Sequence, residues 1–317
     1  AYAKVQRTLR REIAAHRHLC FTLGFMMGDW PLIAAREAIR QKRRFSVKLD
    51  RVEGPILQDR AQTLAQRAGV KLLIPAAYAT LRHVLSKSTV ALLQGADTYD
   101  FYASHAPDPH CIYNTHTSVA EQISPIDLAA KQTRVRSGAP LRIVYLGRAA
   151  PMKGPFDWLD ALHRLQSQNV PFEATWLGDG PNLEAMRQRV AELGLTHHVT
   201  LSGFEDRRDV LLAALKDSDV LMFCHKTPES PRCLVESLVC GCPIAGYDTA
   251  YPRGLIAQYG GGVFSPQNDP AALAHTIATL HADREGLASL IAQAAQSGTL
   301  YNEDAVYAHR ANLMKRA

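Results

Sequence analysis

The stretch LRIVYLGRAAPMKGPFDWLDAL, residues 141–162, decides how the chain is built. Its first six residues are an apolar run suited to a strand buried on both faces, and a helical pattern follows through Trp158 and Leu159. Between them lies a loop holding Gly147, Arg148, Lys153 and Gly154. Strand, glycine loop, helix is the unit of a parallel sheet with helices on its faces. Arginine grips phosphate oxygens bidentately and lysine adds a mobile point charge, so two cations beside a glycine turn suit a diphosphate. The same residues could merely solvate a surface loop. Their place directly after a buried strand, where open parallel sheets bind ligands, favours phosphate contact.

The pattern repeats toward the C-terminus. FEATWLG (172–178), HVTLSG, DVLMFC (219–224), CPIAGYD and GGVFS read as strands, separated by helices such as PNLEAMRQRVAELG and DVLLAALKD. The chain closes with the helices DPAALAHTIATLHAD, REGLASLIAQAAQ and the polar NEDAVYAHRANLMKR. Toward the N-terminus the same alternation is thinner. FTLGFMM (21–27), FSVKLD (45–50), TVALLQG (89–95) and HCIYNTH (110–116) are candidate strands, and Pro55–Ser86 is a helical region with expected breaks at Gly69 and Pro75. Residues 123–140, ISPIDLAAKQTRVRSGAP, read as a polar, loop-forming junction. The expected division is a first domain over 1–132, a second over 133–300, and a last helix over 301–317 that could pack back on the first.

Composition sets outer bounds. At 317 residues, 47% hydrophobic and 21% charged, the chain has material for two globular domains. No run of eighteen apolar residues and no signal peptide is present, and the reading is of a cytoplasmic protein. The net charge of +6 is partly concentrated in Arg7, Arg10, Arg11, Arg40, Lys42, Arg43 and Arg44. Clusters of this kind are more often a solvated helix end than a contact for nucleic acid or anionic lipid; weak association with the inner face of a membrane is the alternative kept. Cys20, Cys111, Cys224, Cys233, Cys240 and Cys242 show no C-x-x-C spacing and read as reduced, buried small hydrophobes. No G-x-G-x-x-G follows a strand, and no carboxylate or histidine cluster has metal-ligand spacing.

A second informative stretch is ESPRCLVE, Glu229–Glu236. Pro231 is preorganised for the first helical position with Ser230 as N-cap, which puts Glu229 in the loop and Glu236 in the second turn. First-turn amides attract anions, so both acids can face a nucleoside diphosphate that bears a sugar. Taken alone, this stretch reads more simply as an acidic loop followed by a helix whose Glu236 is a solvated surface acid.

Taken together these pieces resemble glycosyltransferase family 4, enzymes of the two-domain GT-B fold. The resemblance rests on GR-x4-KG at Gly147–Gly154, GDGP at Gly178–Pro181, SGF at Ser202–Phe204, the paired glutamates, and CG-x-P at Cys240–Pro243, all in the family's order. The family usually has seven residues between its glutamates, whereas Glu229 and Glu236 enclose six. The resemblance implies an α/β fold of two Rossmann-like domains facing a cleft. Here the first is expected to be incomplete, because no strand and glycine-rich loop precede FTLGFMM and the sequence starts at Ala1 without methionine.

By the same resemblance the chain is a retaining, metal-independent glycosyltransferase that needs no cofactor beyond its substrate, a nucleotide sugar of UDP or GDP type. The acceptor is a glycan or lipid-linked hydroxyl, and no nucleic acid is involved. Arg148, Lys153, Glu229 and His116 are the implied catalytic set. Gly147, Gly178, Gly203, Phe204, Cys233, Leu234, Val235 and Glu236 join Arg148 and Lys153 around the donor, with Glu236 on the ribose and Glu229 on the sugar. Two of these have a simpler alternative, since Phe204 packs or stacks on the base and His116 is structural or reaches the sugar; Asp179, between glycines, is a turn residue with no direct role expected. Two rival readings remain at this level, a nucleotide-sugar binding protein without transfer activity and a GT-B epimerase.

Overall fold

The computed structural model describes residues 2–25, 29–61, 63–227 and 229–317. The chain forms two compact units: Ala1–Asn114 with Pro228–Ser230 and Asp304–Ala317, and Thr115–Thr227 with Pro231–Glu303.

The first unit runs α1 (Tyr2–Ala15), β1 (Cys20–Thr22), α2 (Trp30–Arg40), β2 (Ser46–Leu49), α3 (Glu53–Arg60), α4 (Leu64–Lys87), β3 (Val90–Gln94), α5 (Gly95–Tyr102) and β4 (Pro109–Ile112). Its four strands lie in the order β1-β2-β3-β4, all parallel. Strand side chains alternate between faces, so β3 serves two cores at once. Ala91 and Leu93 join Leu81, Val84 and Leu85 on one side, and Val90 and Leu92 meet Ile112 and Leu313 on the other.

Three expectations change here. The helical region does not break at Gly69 or Pro75: α4 runs through both, and the break lies ahead of Thr63, whose hydroxyl and Gln66 form a reciprocal capping box. Arg43 does more than solvate a helix end, since it is half-buried and its guanidinium donates to the carbonyls of Ala14 (2.9 Å), Ile13 and His16 at the end of α1, whereas Arg44 is exposed and donates to Arg316 O. The strand expected at 21–27 is three residues long, and Met26 and Met27 lie outside the described residues.

The second unit opens with α6 (Pro125–Arg136), then β5 (Leu141–Leu146), α7 (Pro155–Ser167), β6 (Phe172–Leu177), α8 (Leu183–Glu192), β7 (Val199–Gly203), α9 (Arg208–Asp217), β8 (Val220–Phe223), α10 (Arg232–Val239), β9 (Ile244–Tyr247), α11 (Ala250–Leu255), β10 (Gly262–Ser265), α12 (Pro270–Ala282) and α13 (Arg284–Gly298). The last helix, α14 (Glu303–Met314), lies almost wholly in the first unit and carries Leu313. The six strands are parallel in the order β10-β9-β8-β5-β6-β7. Succession reverses between β5 and β8, and the carboxyl ends of those two strands therefore flank a crevice of the kind in which open α/β sheets hold ligands. Trp158 and Trp176, both fully buried, meet edge to face at 5.4 Å, and the Trp158 indole donates to Met222 O at 3.0 Å.

The junction expected as a loop at 123–140 is helical. Ser124 Oγ accepts from Asp127 N–H at 3.1 Å and Pro125 sits in the first turn, so a polar composition conceals a capped helix. Lys131 of α6 is buried and donates to Leu215 O (3.2 Å), Gly241 O (3.1 Å) and Cys240 O (3.4 Å), closing the carbonyl ends of α9 and α10. Of the six free cysteines, Cys224, Cys240 and Cys242 are buried as expected; Cys20 and Cys111 are exposed, because each lies on an edge strand of the four-stranded sheet.

Candidate functional site

After β5 the chain leaves the sheet at Gly147, turns through a short 3-10 segment over Pro151–Lys153, and reaches Gly154 ahead of α7. Gly154 has φ +63°, and a side chain there would strike the Cys224 carbonyl, so only glycine passes this close. The turn after β6 is bonded to this loop along its backbone. Gly147 N–H donates to Leu177 O, Ala149 N–H to Asp179 O, and Asn182 N–H to Ala149 O, each at 2.9 Å. Gly178 N–H donates in turn to Gly203 O at 2.8 Å. A Cβ on Gly178 would collide with the Gly147 carbonyl, which ties the two glycines to one another. The loops after β5, β6 and β7 are thus one backbone lattice. Arg148 stands exposed on it and Lys153 is half-buried.

The segment after β8 forms the other bank of the crevice. Lys226 N–H donates to Met152 O at 2.9 Å. Beneath, His225 is buried and its Nε2 shares a 2.7 Å hydrogen bond with the Tyr145 hydroxyl. Burial, reinforced by the Lys153 charge, holds this imidazole well below its ordinary range, so it is neutral. Asp157, in the first turn of α7, accepts from Lys226 Nζ at 2.7 Å and from Tyr247 Oη at 2.6 Å. The floor under Lys153 is therefore pinned from both β5 and β8.

α10 starts one residue later than the sequence reading placed it. Pro231 is the N-cap, with no side-chain capping bond, and Ser230 Oγ instead donates to Gln94 O at 3.4 Å within the first unit. Proline at the N-cap cannot accept through a side chain, so α10 starts without a side-chain cap of its own. Leu234 and Val235 are each 1% exposed; their side chains belong to the core, and Leu234 N–H is directed to Pro231 O at 3.3 Å. What these two present outward is backbone. Cys233 is half-buried beside them.

Glu236, in the second turn, accepts from Arg208 Nη1 at 2.9 Å. The same guanidinium donates from Nε and Nη2 to Glu121 at 2.6 and 3.2 Å, and from Nη2 to His116 O at 2.9 Å. Glu121 also accepts from Ser118 N–H at 2.7 Å. The Arg208 hydrogen bond holds the Glu121 carboxyl below the usual carboxylate range, and Arg208 is itself pushed further up by Glu121 and then Glu236.

The structure therefore gathers Gly147, Arg148, Lys153, Gly178, Gly203, Phe204, Cys233, Leu234, Val235 and Glu236 on loops and helix starts at the carboxyl edge of the six-stranded sheet. Phe204 is 76% exposed and fills no core position. His116 is exposed, and its carbonyl is joined to Glu236 through Arg208. Glu229 belongs with the first unit. Arg208 and Glu121 were missed by motif reading. They sit in EDRRD and VAEQI, where the one available signal was the capping box formed by Ser118 and Glu121. Among the described residues, no group of three or more His, Cys, Asp or Glu side chains could hold a metal ion.

Among curated proteins, the chain is 26% identical over 211 residues to a 2-deoxystreptamine N-acetyl-D-glucosaminyltransferase of Streptomyces fradiae, covering 64% of this chain and 50% of that protein. It is likewise 26% identical over 186 residues to a putative colanic acid biosynthesis glycosyltransferase, WcaL, of Salmonella typhimurium, covering 56% and 46%. The chain thus spans about half the length of these curated relatives. Among solved structures, Anabaena Alr3699/HepE in complex with UDP superposes with a TM-score of 0.74 at 16% identity, over 99% of this chain and 82% of that one. The complex of the same protein with UDP-glucose gives 0.69 at 18% identity, over 99% and 82%. Sucrose-phosphate synthase from Thermosynechococcus elongatus gives 0.68 at 16% identity, over 99% and 79%. These likenesses show the GT-B fold. The family model for glycosyl transferases group 1 matches residues 129–297, more than half the chain and the whole lattice of loops just described, and the chain belongs to that family.

Proposed function

We propose that the protein moves a sugar, with retention of configuration, from a nucleoside diphosphate to a hydroxyl of a glycan or lipid-linked acceptor. The observation that carries this reading is the cationic loop of Arg148 and Lys153 at the switch point of the sheet, fused by backbone hydrogen bonds to the Gly178–Pro181 turn. Charge accumulates on the diphosphate as the bond from the anomeric carbon breaks. In this reading Arg148, Lys153 and the start of α10 stabilise it, and preorganised donors of this kind are worth about 10²–10³ in rate each. Glu236 takes the ribose hydroxyls, exposed Phe204 stacks on the base, and Glu229 and His116 serve the transferred sugar. The acceptor oxygen attacks the face the diphosphate leaves, and a phosphate oxygen receives its proton. Relatives solved with UDP and UDP-glucose make uridine the first base to test, ahead of guanosine.

Lys153→Ala is expected to lower transfer from UDP-glucose about 10²–10³-fold with an unchanged circular dichroism spectrum. Turnover near that of the native protein would remove Lys153 from the phosphate site.

The reading extends to weak docking on an anionic membrane surface. Leu64, Leu72 and Leu73 of α4 are 84%, 79% and 51% exposed, and Arg67 and Lys71 lie exposed among them. From residue 61 to residue 96 the sequence holds no Asp or Glu. Apolar side chains set in an uninterrupted basic field suit the boundary between headgroup and acyl chain.

A further inference from the structure

Arg208 is the first residue of α9, at the same carboxyl edge of the sheet as the phosphate loop, and its contacts are unusual in number and direction. It divides five potential donors among three elements: Glu236 on α10, Glu121 on the short turn over Val119–Glu121, and the carbonyl of His116 ahead of that turn. Its bond to Glu236 uses Oε1. A glutamate has three rotatable bonds, and a vicinal diol is recognised well only by a carboxylate whose plane is already set. Fixing one oxygen with a guanidinium leaves the other, Oε2, turned to a defined side. Glu121, gripped through both Nε and Nη2, fixes the guanidinium in turn, and Glu121 is anchored by the Ser118 amide. The series Ser118, Glu121, Arg208, Glu236 ends on the acid assigned to the ribose.

We infer that Arg208 is a positioning residue for the ribose subsite: held by Glu121, it orients Glu236 so that the nucleotide is selected for its 2′,3′-diol. This rests on the donor-site reading proposed above. Arg208 touches no reacting atom, and its effect is on which nucleoside diphosphate binds. Lysine cannot replace it, because one ammonium cannot grip Glu121 with two parallel bonds while reaching Glu236 and the His116 carbonyl.

The test is calorimetric titration of UDP and of 2′,3′-dideoxy-UDP into the native protein, Arg208→Ala, Arg208→Lys, Glu121→Gln and Glu236→Gln. The native protein is expected to prefer UDP by about tenfold or more, the effect of one or two hydrogen bonds to a charged group. Glu236→Gln should abolish the preference. Arg208→Ala and Arg208→Lys should bring it to within about threefold of that floor, with affinity for the dideoxy nucleotide unchanged, and Glu121→Gln should lie between. A merely structural arginine would instead weaken both nucleotides together or lower only the melting temperature. Should Arg208→Ala prove unfolded, Arg208→Lys carries the comparison, since it keeps the charge. A native preference that survives in the Arg208 variants overturns the role of Arg208 alone; a native protein that binds neither nucleotide overturns the donor-site reading and this inference with it.

Discussion

His225 shows how one buried side chain supports a charged loop without carrying charge. It meets Tyr145 through Nε2, faces the rings of Tyr145 and Phe223, and lies within the field of Lys153. A protonated imidazole at that place would be a second cation in an apolar setting. The folded chain therefore refuses a proton that the unfolded chain accepts near pH 6.5. The sign follows: the unfolded state binds more protons below that pH, so the full contribution is present above 6.5 and stability is lost as the pH falls below it. The slope reaches at most about 1.4 kcal/mol per pH unit for one proton. His225→Gln is expected to be less stable than the native protein at pH 7.5 and to lose stability less steeply on going to pH 5.5, measured by urea unfolding. Equal slopes would mean that His225 is charged in the fold.

At the scale of the element, the caps decide more than the compositions do. Lys131 gives its ammonium to three carbonyls at the ends of α9 and α10, the two helices that carry Arg208 in the first turn and Glu236 in the second. Lys131→Met keeps the length of the side chain and leaves those carbonyls without a donor. A loss of about 2–4 kcal/mol is expected by urea unfolding, partly offset because a buried charge disappears with them. A change below about 0.5 kcal/mol would mean that water replaces the ammonium. The same logic explains what the sequence made legible. β5, β6 and the glycine loops were readable because β5 is almost wholly buried and nearly continuously apolar, β6 starts with an apolar-polar alternation over Phe172, Glu173, Ala174 and Thr175, and a loop that passes close to another backbone needs glycine at Gly154 and Gly178. α6 was not readable as a helix from ISPIDLAAKQTRVRSGAP, since its evidence lay in Ser124 and Pro125 rather than in any apolar stripe. The junction of α3 and α4 likewise turned on Thr63 and Gln66, against the stronger local signals of Gly69 and Pro75. Arg208 was beyond reach because a pairing across 87 residues to Glu121 leaves no local pattern.

At the scale of the whole molecule, a net charge of +6 creates a weak general attraction to anionic surfaces, and α4 adds the apolar side chains that would make it selective. None of the described helices is long and apolar enough to cross a membrane. In flotation assays the protein is expected to rise with phosphatidylglycerol vesicles and not with phosphatidylcholine vesicles, and the double change Leu72→Ser with Leu73→Ser should release it at unchanged thermal stability. Flotation that ignores lipid charge would set this surface aside.

The first unit is assembled from three separate pieces of the chain, and its last piece is α14. Leu313 of that helix closes over Val90, Leu92 and Ile112, Arg310 donates to Tyr113 O, and Arg316 pairs with Asp108 at 2.9 Å. A ribosome reading this message makes β3 and β4 some two hundred residues before the helix that covers one of their faces. Through that interval the early sheet waits with Val90, Leu92 and Ile112 uncovered, while everything the second unit needs has emerged by residue 303. The order of synthesis and the order of completion of the two units are therefore opposite: the unit begun first is completed only after the second, and the nascent chain has an uncovered apolar face for chaperones to shield until α14 has left the exit tunnel.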